Sequence, residues 1–147
     1  MRQKVFALFV VGLFLLLAVA PLQAFEIGGG GSIQEPPATV QAGQPATVNY
    51  IVNVWGQGGP IAGRYRDITL HYRLTGETDY RAVAAQPAPL PENYRKATTE
   101  RNQWEAYEFV IPPYPVGQGG TIEYYVTSKL DGHANKQAGL KTIAVVP

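Results

Sequence analysis

IPPYPVGQGGTIEYYVTSKLDG, residues 111–132, is the stretch that decides the fold. It contains a strand that ends in Pro112-Pro113, a glycine turn at 117–120, a tyrosine-bearing strand at 121–129 and an Asp131-Gly132 turn. Short strands bounded by Pro, Gly and Asp-Gly signals are typical of a secreted antiparallel β-sandwich. The stretch does not predict an activity, because such folds carry many unrelated functions.

Alternating apolar residues extend this pattern through the chain. Val48, Tyr50, Val52 and Val54 fall on one face of a strand predicted over 46–55, and a second alternation follows in Ile68, Leu70, Tyr72 and Leu74. Trp55 is out of phase with the apolar face of its strand. We expect it at a bulge or at the end of the sandwich.

The remaining strands are predicted from shorter signals. A proline-bearing edge strand is expected over 35–40, a short strand over 80–84 and a last strand over 140–146, whereas 94–103 is polar and unassigned. In the strand over 104–111, Tyr107, Phe109 and Ile111 are predicted to face the core, with Glu105 and Glu108 on the solvent side. About seven strands without βαβ alternation predict an all-β, two-sheet antiparallel sandwich over residues 33–147.

The N-terminus indicates export. Arg2 and Lys4 precede an apolar run from Val5 to Ala20, and Pro21 to Ala24 ends it as a signal-peptide cleavage region does. We therefore predict a secretory signal peptide over residues 1–24 and a periplasmic or extracellular protein. An uncleaved membrane anchor is the alternative, although the run is somewhat short for the roughly 20 residues of a spanning helix.

Composition limits which partners the chain is expected to bind and how its fold is stabilised. Cleavage after Ala24 removes Arg2 and Lys4 and leaves 123 residues with 10 Lys and Arg against 11 Asp and Glu. This near-neutral charge gives no electrostatic case for binding nucleic acid. The chain has no cysteine, so its stability must come from apolar burial without disulfides.

The Gly-rich segment after the cleavage site is predicted to be a linker over residues 25–32. It contains four consecutive glycines, Gly28 to Gly31, followed by Ser32. The alternative is a short arm, Phe25 to Ile27, that pairs with a neighbour's sheet edge while the glycines act as a hinge.

The strand and turn motifs carry a family resemblance that covers nearly all of the chain after residue 24. Ile68 to Arg73, Trp104 before Ile111-Pro112, and Gly120 to Val126 with Asp131-Gly132 resemble bacterial immunoglobulin-like and fibronectin type III-like domains of exported proteins. This resemblance implies that Tyr124 packs at the sandwich corner with its hydroxyl on nearby backbone. The same stretches loosely resemble starch-binding carbohydrate modules. They differ from those modules after Asp131-Gly132, where no tryptophan follows.

Catalytic and metal-binding motifs are weak. Ser32 and Ser128 lie outside any nucleophile elbow, and His71 and His133 lack metal-ligand spacing. Glu105, Glu108 and Glu123 could in principle meet as an acid/base pair, but ordinary surface charge is the simpler interpretation. The Gly56 to Gly59 loop lacks the helix and Lys-Ser/Thr of a phosphate loop, and 131–135 lacks the carboxylate spacing of a calcium loop. We predict neither enzymatic activity nor a metal or cofactor.

Aromatic residues outside the predicted core are the candidate binding surface. Exposed rings beside arginines suit sugar stacking or a protein contact, and sandwich domains bind through loops at one end, which favours the loop from Trp55 to Arg66. The candidate residues are Trp55, Arg64, Tyr65, Arg66, Tyr94, Tyr114 and Tyr125.

The sequence thus predicts a non-catalytic structural or protein-interaction module of the envelope or extracellular space. A carbohydrate-binding module and a subunit that self-assembles through its N-terminal arm are the alternatives.

Overall fold

Two β-sheets and one short helix make up the residues that the computed structural model describes, 27–56 and 63–147. The predicted signal peptide and part of the Trp55 to Arg66 loop lie outside them. The strands are β1 (Ile27–Ile33), β2 (Thr39–Gln41), β3 (Ala46–Gly56), β4 (Tyr65–Leu74), β5 (Arg81–Ala84), β6 (Gln86–Ala88), β7 (Asn102–Ile111), β8 (Gly120–Leu130), β9 (Lys136–Gln137) and β10 (Lys141–Val146). The helix, α1 (Glu92–Ala97), lies between β6 and β7.

The sheets form an all-β sandwich, as the sequence predicted. The first sheet has the order β1-β3-β7-β6 and the second β2-β10-β8-β4-β5, with β9 also paired to β8. Neighbouring strands are antiparallel except β2 and β10, which are parallel. The strand segments outnumber the seven expected because β2, β5, β6 and β9 are only two to four residues long.

The core lies between the two sheets. The predicted alternations on β3 and β4 are confirmed for Val48, Tyr50, Val52, Val54, Ile68, Leu70 and Tyr72, all buried. Phe109, Ile111 and Tyr124 are buried with them. Tyr124 therefore has its expected burial, but its hydroxyl has no hydrogen-bond partner among the described residues, so the expected corner hydrogen bond is wrong.

Residues 27–32 are not a linker. They belong to β1, which pairs along its whole length with β3, from Ile27 opposite Gly56 to Ile33 opposite Tyr50. The expected glycine hinge is wrong for the same reason. The glycines are ordered here because three of them leave space for side chains of the facing strands.

Helix α1 occupies part of the stretch that the sequence left unassigned. It follows Pro91, and Glu92 pairs with Lys96 one turn later at 2.7 Å. In residues 27–56 and 63–147, no helix is long and apolar enough to cross a membrane.

Candidate functional site

Trp55 lies at the end of β3 and covers the glycine strand. A β-carbon built on Gly28 would lie 2.1 Å from Cζ2 of the indole, so only glycine permits this approach. The side chain nevertheless remains 41% exposed. Trp55 thus faces outward from the core near the end of the sandwich, in unbroken register opposite Gly28 and Asn102, so the expected bulge is wrong.

An open groove of about 580 Å³ lies beside this tryptophan. We call it the Trp55 groove. Its lining residues come from β1, the end of β3, the β8–β9 turn and the start of β9: Ile27, Gly28, Gly29, Trp55, Asp131, Gly132, His133 and Lys136. Its volume is within the range of small-ligand sites, with an aromatic side chain on one side and ionisable side chains on the other.

Asp131 links the groove to the start of β4. Its carboxylate accepts hydrogen bonds from Arg66 Nε at 2.7 Å and from the Arg64 backbone N–H at 3.1 Å, and its own N–H donates to Arg64 O. The Arg66 hydrogen bond lowers the pKa of Asp131 below its usual range, with the Arg64 backbone bond as the next cause. Arg66 is therefore held in an ion pair at the groove.

The outward side of β1 is a second feature at the same place. The Gln34 N–H donates to Asn49 O on β3, so the even-numbered residues of β1 direct their backbone groups to β3 and the odd-numbered ones direct theirs away. The backbone N–H and C=O groups of Ile27, Gly29, Gly31 and Ile33 therefore point away from the sheet. We call this side of β1 the glycine edge.

Lys136 confirms this direction and covers one end of the edge. Its ammonium donates a hydrogen bond to Gly29 O, across from β9. A lysine at this position is a common protection of an edge strand against unwanted pairing. From Gly30 to Ser32 the edge is exposed.

The predicted candidate residues do not form one site. Trp55, Arg64 and Arg66 lie at the groove end. Tyr65 and Tyr114 are buried, at 6% and 8% exposure, so their expected exposure is wrong. Tyr94 packs on Trp104 at α1, with ring centroids 4.9 Å apart. Tyr125 is half-buried on the second sheet, stacked on His71 at 4.8 Å.

Glycines explain why two of these tyrosines are buried. The Tyr65 hydroxyl would lie 2.9 Å from a β-carbon on Gly29, and the Tyr114 hydroxyl 2.7 Å from one on Gly120. Burial raises the pKa of Tyr65 to about 12. Its hydroxyl has no hydrogen-bond partner within the described part of the chain.

The three candidate carboxylates also lie apart. Glu105 shares the inward face of β7 with Tyr107, contrary to the predicted solvent side, and accepts a 2.6 Å hydrogen bond from the Tyr107 hydroxyl. Burial is the largest cause that raises the pKa of Tyr107, and the hydrogen bond to Glu105 is the next. Glu123 belongs to the other sheet and pairs with Arg73 at 2.6 Å. The structure therefore does not bring Glu105 and Glu123 together as an acid/base pair.

The sequence interpretation missed the glycine edge and the β8–β9 side of the groove. Four glycines alone suggest flexibility, and the available signal was the out-of-phase Trp55, which needed a partner on the outer face. Among the described residues, no group of three His, Asp or Glu side chains is placed to hold a metal ion.

No family model matches the chain, and no curated protein matches it. Among solved structures, it is similar to a DUF4426 family protein from Pseudomonas aeruginosa, with 9% sequence identity and a TM-score of 0.31. The match covers 85% of this chain and 98% of the other. A similarity at this TM-score is too low to transfer either fold or function.

Proposed function

We propose that this chain is an exported, non-catalytic protein-interaction module of the cell envelope or extracellular space. Its partner adds an extended strand to the glycine edge. The observation that carries the proposal is a seven-residue edge strand whose central residues are glycines, with outward-directed backbone groups and exposure from Gly30 to Ser32. Strand addition uses main-chain hydrogen bonds of this kind.

Topology and the N-terminal sequence support the rest of the proposal. The order β1-β3-β7-β6 corresponds to strands A-B-E-D of an immunoglobulin-like domain, and β10-β8-β4-β5 corresponds to G-F-C-C′. We therefore propose an immunoglobulin-like fold for the sandwich. Export is supported by the basic start, apolar run and small-residue end of residues 1–24.

The absence of side chains from Gly28 to Gly31 makes the glycine edge suitable for a strand partner. Natural edge strands are usually blocked by prolines, charges or bulges, and β1 contains none of the three. Among the described residues, Lys136 on β9 of the second sheet contributes a charge at this edge, where it hydrogen-bonds to Gly29 O. A partner strand can therefore approach Gly31 and Ile33 without displacing a side chain of β1.

Selection of phage-displayed random 12-residue peptides on the immobilised chain tests this function. We expect enriched peptides with alternating apolar residues, which slow the amide hydrogen exchange of Gly31 and Ile33 because those N–H groups become bonded. Gly30, whose N–H already faces β3, is the internal control and keeps its exchange rate. Enrichment of no peptide, or binding that leaves the Gly31 and Ile33 amides unprotected, would overturn the proposal.

The Trp55 groove favours a carbohydrate as a second candidate ligand. The exposed indole supplies an apolar ring face, and Asp131, His133 and Lys136 supply hydrogen-bonding groups around it. A pull-down with insoluble polysaccharides and a glycan array test this candidate directly. Saturable binding that is lost in Trp55→Ala and kept in Leu140→Ala, an exposed apolar control elsewhere, supports it, and no binding to any glycan removes it.

A further inference from the structure

We propose that the strand added at the glycine edge is β1 of a second copy of this chain. The two β1 strands pair antiparallel about a twofold axis through Gly30, which joins the first sheets of two sandwiches into one continuous sheet. This inference rests on the proposed strand-docking function and names its partner.

The register of β1 is self-complementary. Outward-directed residues must face outward-directed residues of the second copy, which limits pairing to registers that match odd with odd positions. The register centred on Gly30 pairs all four of them: Ile27 with Ile33 of the second copy, and Gly29 with Gly31 of the second copy. Shifting the centre to Gly29 or Gly31 leaves an isoleucine unpaired.

Side chains are compatible with this register. Gly29 and Gly31 have none, so the two backbones can reach ladder distance, about 4.8 Å between strands. Ile27 and Ile33, both half-buried against the core, become a cross-strand apolar pair. Gly29 O can accept a second hydrogen bond beside the one from Lys136, because a carbonyl oxygen has two lone pairs.

The position of Gly30 provides a direct test of the register. On the twofold axis, Gly30 faces its own copy as a non-hydrogen-bonded pair with Cα atoms about 4.5 Å apart, a separation that a disulfide spans. The chain has no cysteine of its own, and a β-carbon at Gly30 meets no atom within 4 Å. Gly30→Cys therefore reports this register without a steric clash and without a competing native thiol.

Ser32→Cys is the matched control. Ser32 is exposed on the same face of β1, but in the proposed register it lies about 14 Å from Ser32 of the second copy, four residues along the strand. In a glutathione redox buffer, where oxidised glutathione accepts the two electrons and protons of the thiols, Gly30→Cys should give a covalent dimer on a non-reducing gel. Ser32→Cys should remain predominantly monomeric.

The unmodified chain gives a second measurement that does not depend on a variant. Amide exchange of Gly31 and Ile33 should slow with rising protein concentration, in step with dimer formation in sedimentation equilibrium. Equal cross-linking of both variants, cross-linking of neither, or concentration-independent exchange would overturn the second-copy assignment. If exchange is concentration-independent while selected peptides still protect these amides, the strand-docking function stands without self-pairing. If peptides also fail to protect them, both proposals are wrong.

Discussion

Trp55 lies against Gly28 on the outer face of the first sheet, where a β-carbon on the glycine would be 2.1 Å from the indole. The tryptophan side chain fills the space that a side chain at Gly28 would otherwise occupy. An aromatic residue opposite an edge glycine is a recognised way of stabilising such a strand. The Trp55 groove and the glycine edge therefore depend on the same pair of residues.

Trp55→Ala should weaken the attachment of β1. We expect the free energy of unfolding to fall by about 1–3 kcal/mol, less than the roughly 3–5 kcal/mol of a fully buried tryptophan, because the side chain is 41% exposed. Amides of Gly28 and Gly30 should exchange faster. Val116→Ala, at an 83% exposed site, is the control and should change stability by less than about 0.5 kcal/mol in urea unfolding.

Gly31→Ala and Gly30→Ala should have different effects although the positions are adjacent. A β-carbon on Gly31 would lie 1.9 Å from the hydroxyl of Tyr50, whose ring is buried and whose hydroxyl is 3.3 Å from Ser128 Oγ. Overpacking of this kind costs about 1–3 kcal/mol. At Gly30 the β-carbon meets open space, so its variant should lie within about 0.5 kcal/mol of wild type. Equal losses in the two variants would contradict inward packing of β1.

The regular core strands were predictable, because one apolar face and one polar face leave only one phase for β3 and β4. The glycine strand was not, because a residue without a side chain shows no alternation. Its order depends on Tyr50, Trp55 and Tyr65, side chains that are distant from it in sequence. Tyr65 can be buried because Gly29 has no β-carbon to occupy the space near its hydroxyl.

The position of Glu105 has a different physical reason. Alternation alone places it on the same face as Tyr107, but its charge favoured the solvent side in the sequence interpretation. Near the end of the sandwich that face is only half-buried, and the Tyr107 hydroxyl supplies a hydrogen bond to the carboxylate. Of the groove's lining, the sequence interpretation had named Trp55, whereas residues 57–62 of its predicted loop lie outside the described residues.

Alkaline pH should destabilise the fold through its buried tyrosines. Burial raises the pKa of Tyr65 and of Tyr124 to about 12, from an ordinary value of 10.0. Their stabilising contribution is therefore fully present below pH 10 and is lost as pH rises from about 10 to about 12, where the unfolded chain releases protons that the folded chain keeps. Tyrosinate absorbance should show a late phase that coincides with loss of near-ultraviolet circular dichroism. A single phase near pH 10 in the folded protein would contradict this.

Lys136→Ala should affect the two candidate ligands in opposite directions. Its ammonium shares Gly29 O with any strand that docks there and places a positive charge at the edge, so its removal leaves both lone pairs of that oxygen to the partner and removes a charge that opposes strand approach. We expect peptide binding at the glycine edge to strengthen roughly two- to tenfold, the range of one hydrogen bond of about 0.5–1.5 kcal/mol.

A carbohydrate in the Trp55 groove would instead lose the Lys136 donor and bind more weakly. Lys141→Ala removes the same charge from an exposed position at the start of β10 and is the control, with both affinities unchanged. Isothermal titration of each variant separates the cases: stronger peptide binding supports strand docking, whereas unchanged or weaker peptide binding contradicts the role of Lys136 as a cover for the glycine edge.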